Sequence, residues 1–223
     1  MVDIIRMKDA DEASLLRRCE AALAEGELLI LPTDTVYGLA ARADSRSAVE
    51  AVFSAKGRDA EKSLVVMVSS VEEALELVDP GQRGFLLRLA RFWPGPLTLV
   101  AAAVDVAWRR VVAPDSGSLG LRVPDDEFLL RLLAASGPLA VTSANPAGGE
   151  APSAFADLDA GLLGMASLAL DGGERGSGRP STVAEIRGDV ISVLRQGDIS
   201  GEELARAIEP EVDGGQAPRA PIR

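Results

Sequence analysis

The chain of 223 residues contains no histidine and a single cysteine, Cys19. Without imidazole it cannot build a Ser-His-Asp triad, a His-paired thiolate or an HExxH zinc site. One cysteine makes neither a disulfide framework nor a thiolate zinc centre. Lysine is scarce as well: Lys8, Lys56 and Lys62 stand against twenty arginines. Positive charge is in deficit overall, with 23 Lys and Arg against 34 Asp and Glu and a net charge of −11. That balance argues against a broad nucleic-acid or anionic-membrane surface, but it leaves room for a small basic pocket. No apolar run reaches the roughly 18 residues of a membrane helix. The first residues, Met1 to Lys8, offer no signal-peptide core before the acidic Asp9-Ala10-Asp11-Glu12. The chain is therefore expected to be soluble and cytoplasmic. Any chemistry must rest on carboxylates, hydroxyls, amides, cations or a metal held on oxygen.

With 47% hydrophobic and 26% charged residues the composition is that of a folded protein, long enough to bury a sizeable core. Helical spacing appears over 9–25, with Ala13, Leu16, Cys19 and Leu23 on one face, and over 45–55, with Val49, Val52 and Phe53. Further helices are expected from Ser70, which carries the capping-box pattern with Glu73, over 82–92, from Pro124, and from Ser200. Strands are expected at Leu28–Leu31, 64–68, 97–103, 119–123, 139–142, 168–170, 182–186 and 190–195. Thr33 to Gly38 reads as a loop, Phe92 to Pro96 as an irregular turn, and Pro80-Gly81 as a turn. Strands interleaved with helices, and no linker, predict one α/β domain over residues 1–208 with a mixed, largely buried sheet. Residues 209–223 read as a flexible tail.

Hydroxyls and amides gather at strand ends: Thr33 and Thr35, then Thr142, Ser143 and Asn145, then Ser181 and Thr182. Strand ends are where ligands sit in open α/β sheets, although Ser, Thr and Asn are also ordinary turn residues. Two of the three lysines fall six positions apart, in Lys56-Gly57-Arg58-Asp59-Ala60-Glu61-Lys62. An ammonium is a good point-charge partner for phosphate. Arg122 ends an otherwise apolar strand and needs a partner, either a structural carboxylate such as Asp125 or Asp126 or the carboxylate of a ligand. Gly172 to Arg179 could cradle an anion on its backbone, though a mobile surface loop is the preferred reading. No Walker A, GxGxxG or GxSxG motif is present. Spacing alone stops at a phosphate-binding α/β protein without histidine.

Seven ordered blocks go further. Leu31-Pro32-Thr33-Asp34-Thr35-Val36-Tyr37-Gly38-Leu39 resembles the opening signature of the YrdC/Sua5 family, and Lys56-Gly57-Arg58 its KxR element. Trp93-Pro94-Gly95-Pro96-Leu97-Thr98, Leu121-Arg122-Val123-Pro124, Ser143-Ala144-Asn145, Ser181-Thr182-Val183 and Leu194-Arg195-Gln196-Gly197 follow in the family's order. The resemblance implies a YrdC-like fold, a twisted mixed sheet with helices around a deep basic cavity. It also implies L-threonylcarbamoyladenylate synthase activity on L-threonine, bicarbonate or CO2, and ATP with Mg²⁺. The product would pass to a separate tRNA threonylcarbamoyl transferase for the t6A modification of tRNA adenosine 37.

Carried over by resemblance, Thr35, Arg122, Ser181 and Val141 or Thr142 are expected at L-threonine. Lys56, Arg58, Lys62, Ser118, Ser143, Asn145, Ser153 and Arg195 are expected at ATP, with Lys56 and Arg58 at the transferring phosphate. Ser153 is the weaker of these, because the loop from Pro146 to Pro152 departs from the family pattern. Met67 stands where some members carry histidine. The long branch of the family adds a C-terminal domain after a linker; this chain stops at Arg223 and resembles the short branch. Two alternatives are an RNA-binding module of the same fold, which the charge of −11 opposes, and carbamoyl-adenylate chemistry. The latter belongs to much longer chains with zinc-finger and acylphosphatase-like segments. Direct nucleic-acid or membrane contact is not expected.

Overall fold

Ten strands form one mixed sheet, described here from a computed structural model that covers residues 2–57, 63–114 and 116–209. In chain order the strands are β1 (Asp3–Arg6), β2 (Leu29–Pro32), β3 (Tyr37–Arg42), β4 (Val65–Met67), β5 (Leu97–Ala102), β6 (Ser118–Arg122), β7 (Leu139–Ser143), β8 (Leu168–Asp171), β9 (Thr182–Arg187) and β10 (Val190–Arg195). Their spatial order is β1-β8-β2-β3-β7-β4-β6-β5-β9-β10. The helices are α1 (Glu12–Ala24), α2 (Arg46–Lys56), α3 (Val71–Leu77), α4 (Pro80–Leu89), α5 (Arg109–Val112), α6 (Glu127–Ser136), α7 (Ala160–Met165) and α8 (Gly201–Ile208). No helix among the described residues is long and apolar enough to cross a membrane.

Period-two alternation assigns the side chains of the central strands to two faces. One face carries Leu64, Val66 and Val68, Leu97, Leu99 and Ala101, and Leu119, Leu121 and Val123, which pack in the main core with Val49, Val52 and Phe53 of α2 and Phe85, Leu86 and Leu89 of α4. The other face is covered only in part. There α1 and α6 pack on each other and bury Leu15, Cys19, Leu23, Phe128, Leu129, Leu132 and Leu133 against Leu29, Leu31, Leu139, Leu168 and Leu170. Those partners lie on β2, β7 and β8. Among the described residues, none from β6, β5, β9 or β10 joins that second cluster; on these strands Thr98, Ser118, Gly120, Arg122 and Val183 line a cavity instead.

Several expectations shift. The buried stripe of α1 is Leu15, Cys19 and Leu23, while Ala13 is exposed. Pro80 lies in the first turn of α4, capped by Asp79, so Pro80-Gly81 starts a helix instead of closing a turn. The helix expected from Pro124 begins at Glu127, because the Asp126 carboxylate accepts from the Leu129 N–H and so takes the cap position. Strand β3 was expected as loop up to Gly38. It forms because Leu39, Ala40 and Ala41 are wholly buried between β2 and β7. Strand β1 was not expected at all; it is an edge strand that pairs with β8 far along the chain. The tail expected over 209–223 lies, beyond Glu209, outside the described residues.

Candidate active site

The Thr33–Val36 turn between β2 and β3 is built by one hydroxyl. Thr33 Oγ1 donates to the Val36 carbonyl at 2.7 Å and accepts from the N–H groups of Thr35 at 3.1 Å and Val36 at 3.3 Å. Thr35 Oγ1 lies 3.1 Å from Thr33 Oγ1. Since the Thr33 proton is committed to Val36, Thr35 is the donor of that pair. Thr35 Oγ1 in turn accepts from Arg122 Nη1 at 3.0 Å.

Arg122 ends β6 and is only 3% exposed. Its Nη2 donates to Asp34 at 2.7 Å and its Nε to the Gly95 carbonyl at 3.1 Å. The structural carboxylate is thus Asp34, from the turn, and not Asp125 or Asp126. Burial pulls the Arg122 guanidinium below its ordinary range, and Asp34 opposes the shift. Among the described residues three of its five N–H donors are engaged, which leaves one on Nη1 and one on Nη2 for a ligand.

Arg122 lines a cavity of about 530 Å³ together with Thr35, Val141, Thr142, Ser181 and Met67. The same cavity is lined by Lys56, Ser118, Ser143, Asn145 and Arg195. Blocks separated by more than a hundred residues in sequence meet there because β3, β7, β4, β6, β5, β9 and β10 are consecutive neighbours in the sheet. Three cations and no carboxylate are among the described lining residues. Ser153 lies outside, in a neighbouring depression with Glu150, Asp157, Gly178 and Pro180. Arg58 and Lys62 fall outside the described residues.

Lys56, 5% exposed, is the last residue of α2, and left-handed Gly57 ends the helix behind it. Its ammonium donates to the Ser143 carbonyl at 2.6 Å, to the Asn145 carbonyl, and to Asn145 Oδ1 at 3.3 Å. The Asn145 amide group then donates to the carbonyls of Pro146 and Gly149, both at 2.8 Å. Asn145 therefore shapes the loop after β7 and seats Lys56. At the far end, a bulge between Val193 and Arg195 interrupts the pairing of β10 with β9. Consecutive strand residues normally face opposite ways, yet Leu194 and Arg195 both line the cavity.

Two contributors were not singled out from sequence. Thr98, 1% exposed, lines the cavity and its hydroxyl lies 2.8 Å from Ser181 Oγ. Arg175 belongs to the glycine-rich stretch, which the structure ties down: the Tyr37 hydroxyl donates to the Gly173 carbonyl at 2.7 Å and accepts from the Gly172 N–H at 3.0 Å. That stretch backs the Thr33–Val36 turn and is not a free surface loop. Tyr37, the chain's only tyrosine, stands in the Leu31–Leu39 signature, but nothing near it in sequence indicates that its hydroxyl holds Gly172 and Gly173.

A sequence model of the Sua5, YciO and YrdC proteins, described as "Telomere recombination", matches residues 21–197. The chain belongs to the Sua5/YciO/YrdC family. It is 34% identical to a Bacillus subtilis protein named threonylcarbamoyl-AMP synthase, over 90% of this chain and 58% of that one. It is 36% identical to a Chromohalobacter salexigens protein of the same name, over 75% of this chain and 90% of that one. Among solved structures it resembles Pyrococcus abyssi Sua5 complexed with L-threonine, with a TM-score of 0.80 and 32% identity over 93% of this chain and 61% of that one. The chain thus spans about three fifths of the Bacillus relative. The Sua5/YciO/YrdC fold expected from sequence, a mixed sheet with helices, is the one observed.

Proposed function

We propose that this chain makes L-threonylcarbamoyladenylate from L-threonine, bicarbonate or CO2, and ATP, releasing pyrophosphate. The observation that carries the reading is Arg122. Its guanidinium is fixed on three sides and keeps two N–H donors at the wall of a cavity. Two such donors match a carboxylate. A Sua5 relative with 32% identity and the same fold is known in complex with L-threonine.

On this reading the threonine carboxylate meets Arg122, with Thr35, Ser181 and the β7 residues Val141 and Thr142 around the rest of the amino acid. The amine attacks CO2, forming an N–C bond and releasing a proton. An oxygen of the resulting carbamate attacks the α-phosphorus of ATP as the bond to the β-phosphate oxygen breaks. Pyrophosphate leaves with that electron pair. No residue needs to move a proton at this second step, so the absence of histidine is no obstacle. Alignment and charge stabilisation carry the rate. Lys56 and Arg195, with Ser118, Ser143 and Asn145, form the nucleotide end; Arg58 and Lys62 join it in the family's pattern, whereas Ser153 lies in the adjoining depression.

No trio of Cys, Asp or Glu able to hold a metal ion occurs among the described residues, and no carboxylate is among those lining the cavity. Mg²⁺ would enter with the substrate, on the phosphates of ATP. The product would be consumed by a tRNA threonylcarbamoyl transferase in t6A formation, in the cytoplasm. Residues 1–208 would act as the catalytic unit. Incubation with L-threonine, bicarbonate, ATP and Mg²⁺ should yield the adenylate and pyrophosphate. Pyrophosphate release that ignores threonine would contradict the reading.

A further inference from the structure

Arg175 does not line the cavity, yet it holds the threonine end together from behind. Its Nε donates to the Thr33 carbonyl at 2.9 Å and its Nη1 to the Gly172 carbonyl at 3.3 Å. Its Nη2 pairs with the Asp126 carboxylate, whose other oxygen caps α6 by accepting from the Leu129 N–H. The backbone N–H of Arg175 donates to the Ser153 carbonyl at 2.8 Å. Next to it, Gly176 runs so close to the turn that a Cβ there would sit 2.2 Å from the Asp34 carbonyl oxygen.

One guanidinium therefore connects a helix terminus, the glycine-rich stretch and the Thr33–Val36 turn. That turn presents Asp34 and Thr35, the two side chains that hold Arg122. The Asp126 pair is only partly exposed, at 21% and 12% for the two side chains, so it is less screened than an ion pair in open solvent. We propose that Arg175 is a positioning residue for amino-acid binding. It acts through the Thr33 carbonyl to keep Asp34 and Thr35 at Arg122, and has no part at the phosphates. The assignment of the amino acid rests on the function proposed above.

Two measurements on the full chain separate the proposal from that reading. The first is amide hydrogen exchange without substrate. Thr35 and Val36 donate to Thr33 Oγ1, so their exchange reports the turn itself. Arg175→Met should speed their exchange about tenfold or more, while amides of β6 stay unchanged. The second is steady-state kinetics of pyrophosphate release. Arg175→Met should raise KM for L-threonine about 10- to 100-fold, with kcat and KM for ATP within about twofold. Arg175→Lys, which keeps the charge and one donor, should recover part of both effects. It also serves should the methionine variant fail to fold.

Unchanged exchange at Thr35 and Val36 in both variants overturns the proposal, whatever the enzyme's substrate proves to be. Faster exchange with an unchanged threonine KM, or with losses in kcat and ATP use of the same size, overturns it too. If the unmodified chain ignores threonine, the functional reading fails on its own account. The exchange data then decide whether Arg175 holds the turn, and the amino-acid role falls.

Discussion

Arg195 grips Ser181 by its backbone: Nε and Nη2 donate to the Ser181 carbonyl at 3.1 and 2.9 Å, and Nη2 reaches Ser181 Oγ at 3.2 Å. Resemblance gives Ser181 to threonine and Arg195 to ATP, so the two ends of the cavity share a direct link here. Gly197 makes the link possible, since a Cβ at that position would lie 2.4 Å from the Thr182 nitrogen and 2.5 Å from the Pro180 carbonyl oxygen.

Arg195→Ala should therefore fail in both substrates at once. It frees the Ser181 carbonyl and removes a cation from the nucleotide end. Both KM values should rise, each by about tenfold, the worth of about 1.4 kcal/mol. Initial-rate measurements with each substrate varied in turn check this. A rise confined to ATP would mean that Ser181 keeps its place without Arg195.

Arg122→Ala should separate the ends instead. It removes a charge-assisted, buried contact worth about 2–4 kcal/mol, so apparent threonine affinity should fall about 30- to 1,000-fold. ATP binding measured without threonine should change little. The variant also leaves the Asp34 carboxylate in a buried site without its guanidinium, so it should unfold at lower temperature. Arg122→Ala combined with Asp34→Asn should recover part of that stability and none of the threonine affinity. Calorimetry with each ligand and thermal unfolding give the two readouts.

Local signals were legible wherever neighbours in sequence settle the structure. Val49, Val52 and Phe53 followed by Gly57 specify α2, and the helix expected from Ser200 starts there, closed by a capping box with Glu203. At Ser70 the Glu73 carboxylate accepts from Ser69 instead, so the pattern there gives only the Ser70 cap. Signals that depend on distant partners were not. Tyr37 to Arg42 forms β3 only because β2 and β7 flank it, and β1, with Asp3, Ile4 and Arg6 exposed, has no pattern of its own without β8. Arg122 was recognisable as a buried cation needing a carboxylate, but its partner lies 88 positions away, where spacing offers no hint. The family resemblance implied that Lys56, Arg58, Lys62, Arg122 and Arg195 converge on one cavity; Lys56, Arg122 and Arg195 line it, while Arg58 and Lys62 lie outside the described residues. Arg175 escaped because Gly172 to Arg179 has the composition of a mobile loop. Its tethers come from Thr33, Tyr37 and Asp126, all far away in sequence.

Cys19 should be chemically silent in the native protein. It is fully buried in the cluster beneath α1 and α6, and burial pushes its thiol up from an ordinary 9.0 to about 12. The native thiol stays protonated where the unfolded one ionises. Its contribution to stability is thus intact below pH about 9 and is lost as the pH climbs from there toward 12, at about 1.4 kcal/mol per pH unit. An aromatic disulfide reagent at pH 8 should titrate no thiol in the folded chain and one in denaturant. Cys19→Ala should flatten part of the alkaline fall in stability. Rapid native labelling at pH 8 would show that the α1–α6 cluster opens.

Lys56 tests whether a side chain can be structural and functional in one place. Its ammonium holds the Ser143 and Asn145 carbonyls at the end of β7 and also lines the cavity. Lys56→Met keeps the stem and removes the three donors, which strands buried carbonyls at about 1–3 kcal/mol. A loss of that size should lower the melting temperature by about 2–4 °C per kcal/mol in a chain of this length. If Lys56 also steadies charge on the phosphates as pyrophosphate departs, kcat should fall about 100- to 1,000-fold, far beyond what the unfolded fraction explains. Lys56→Arg should not restore it. A planar fork cannot point at the Ser143 carbonyl, the Asn145 carbonyl and Asn145 Oδ1 as a tetrahedral ammonium can. The comparison is turnover per folded molecule at a temperature where each variant is fully native. A normal turnover number for Lys56→Met under those conditions would confine Lys56 to holding the loop and move the phosphate role to other cations.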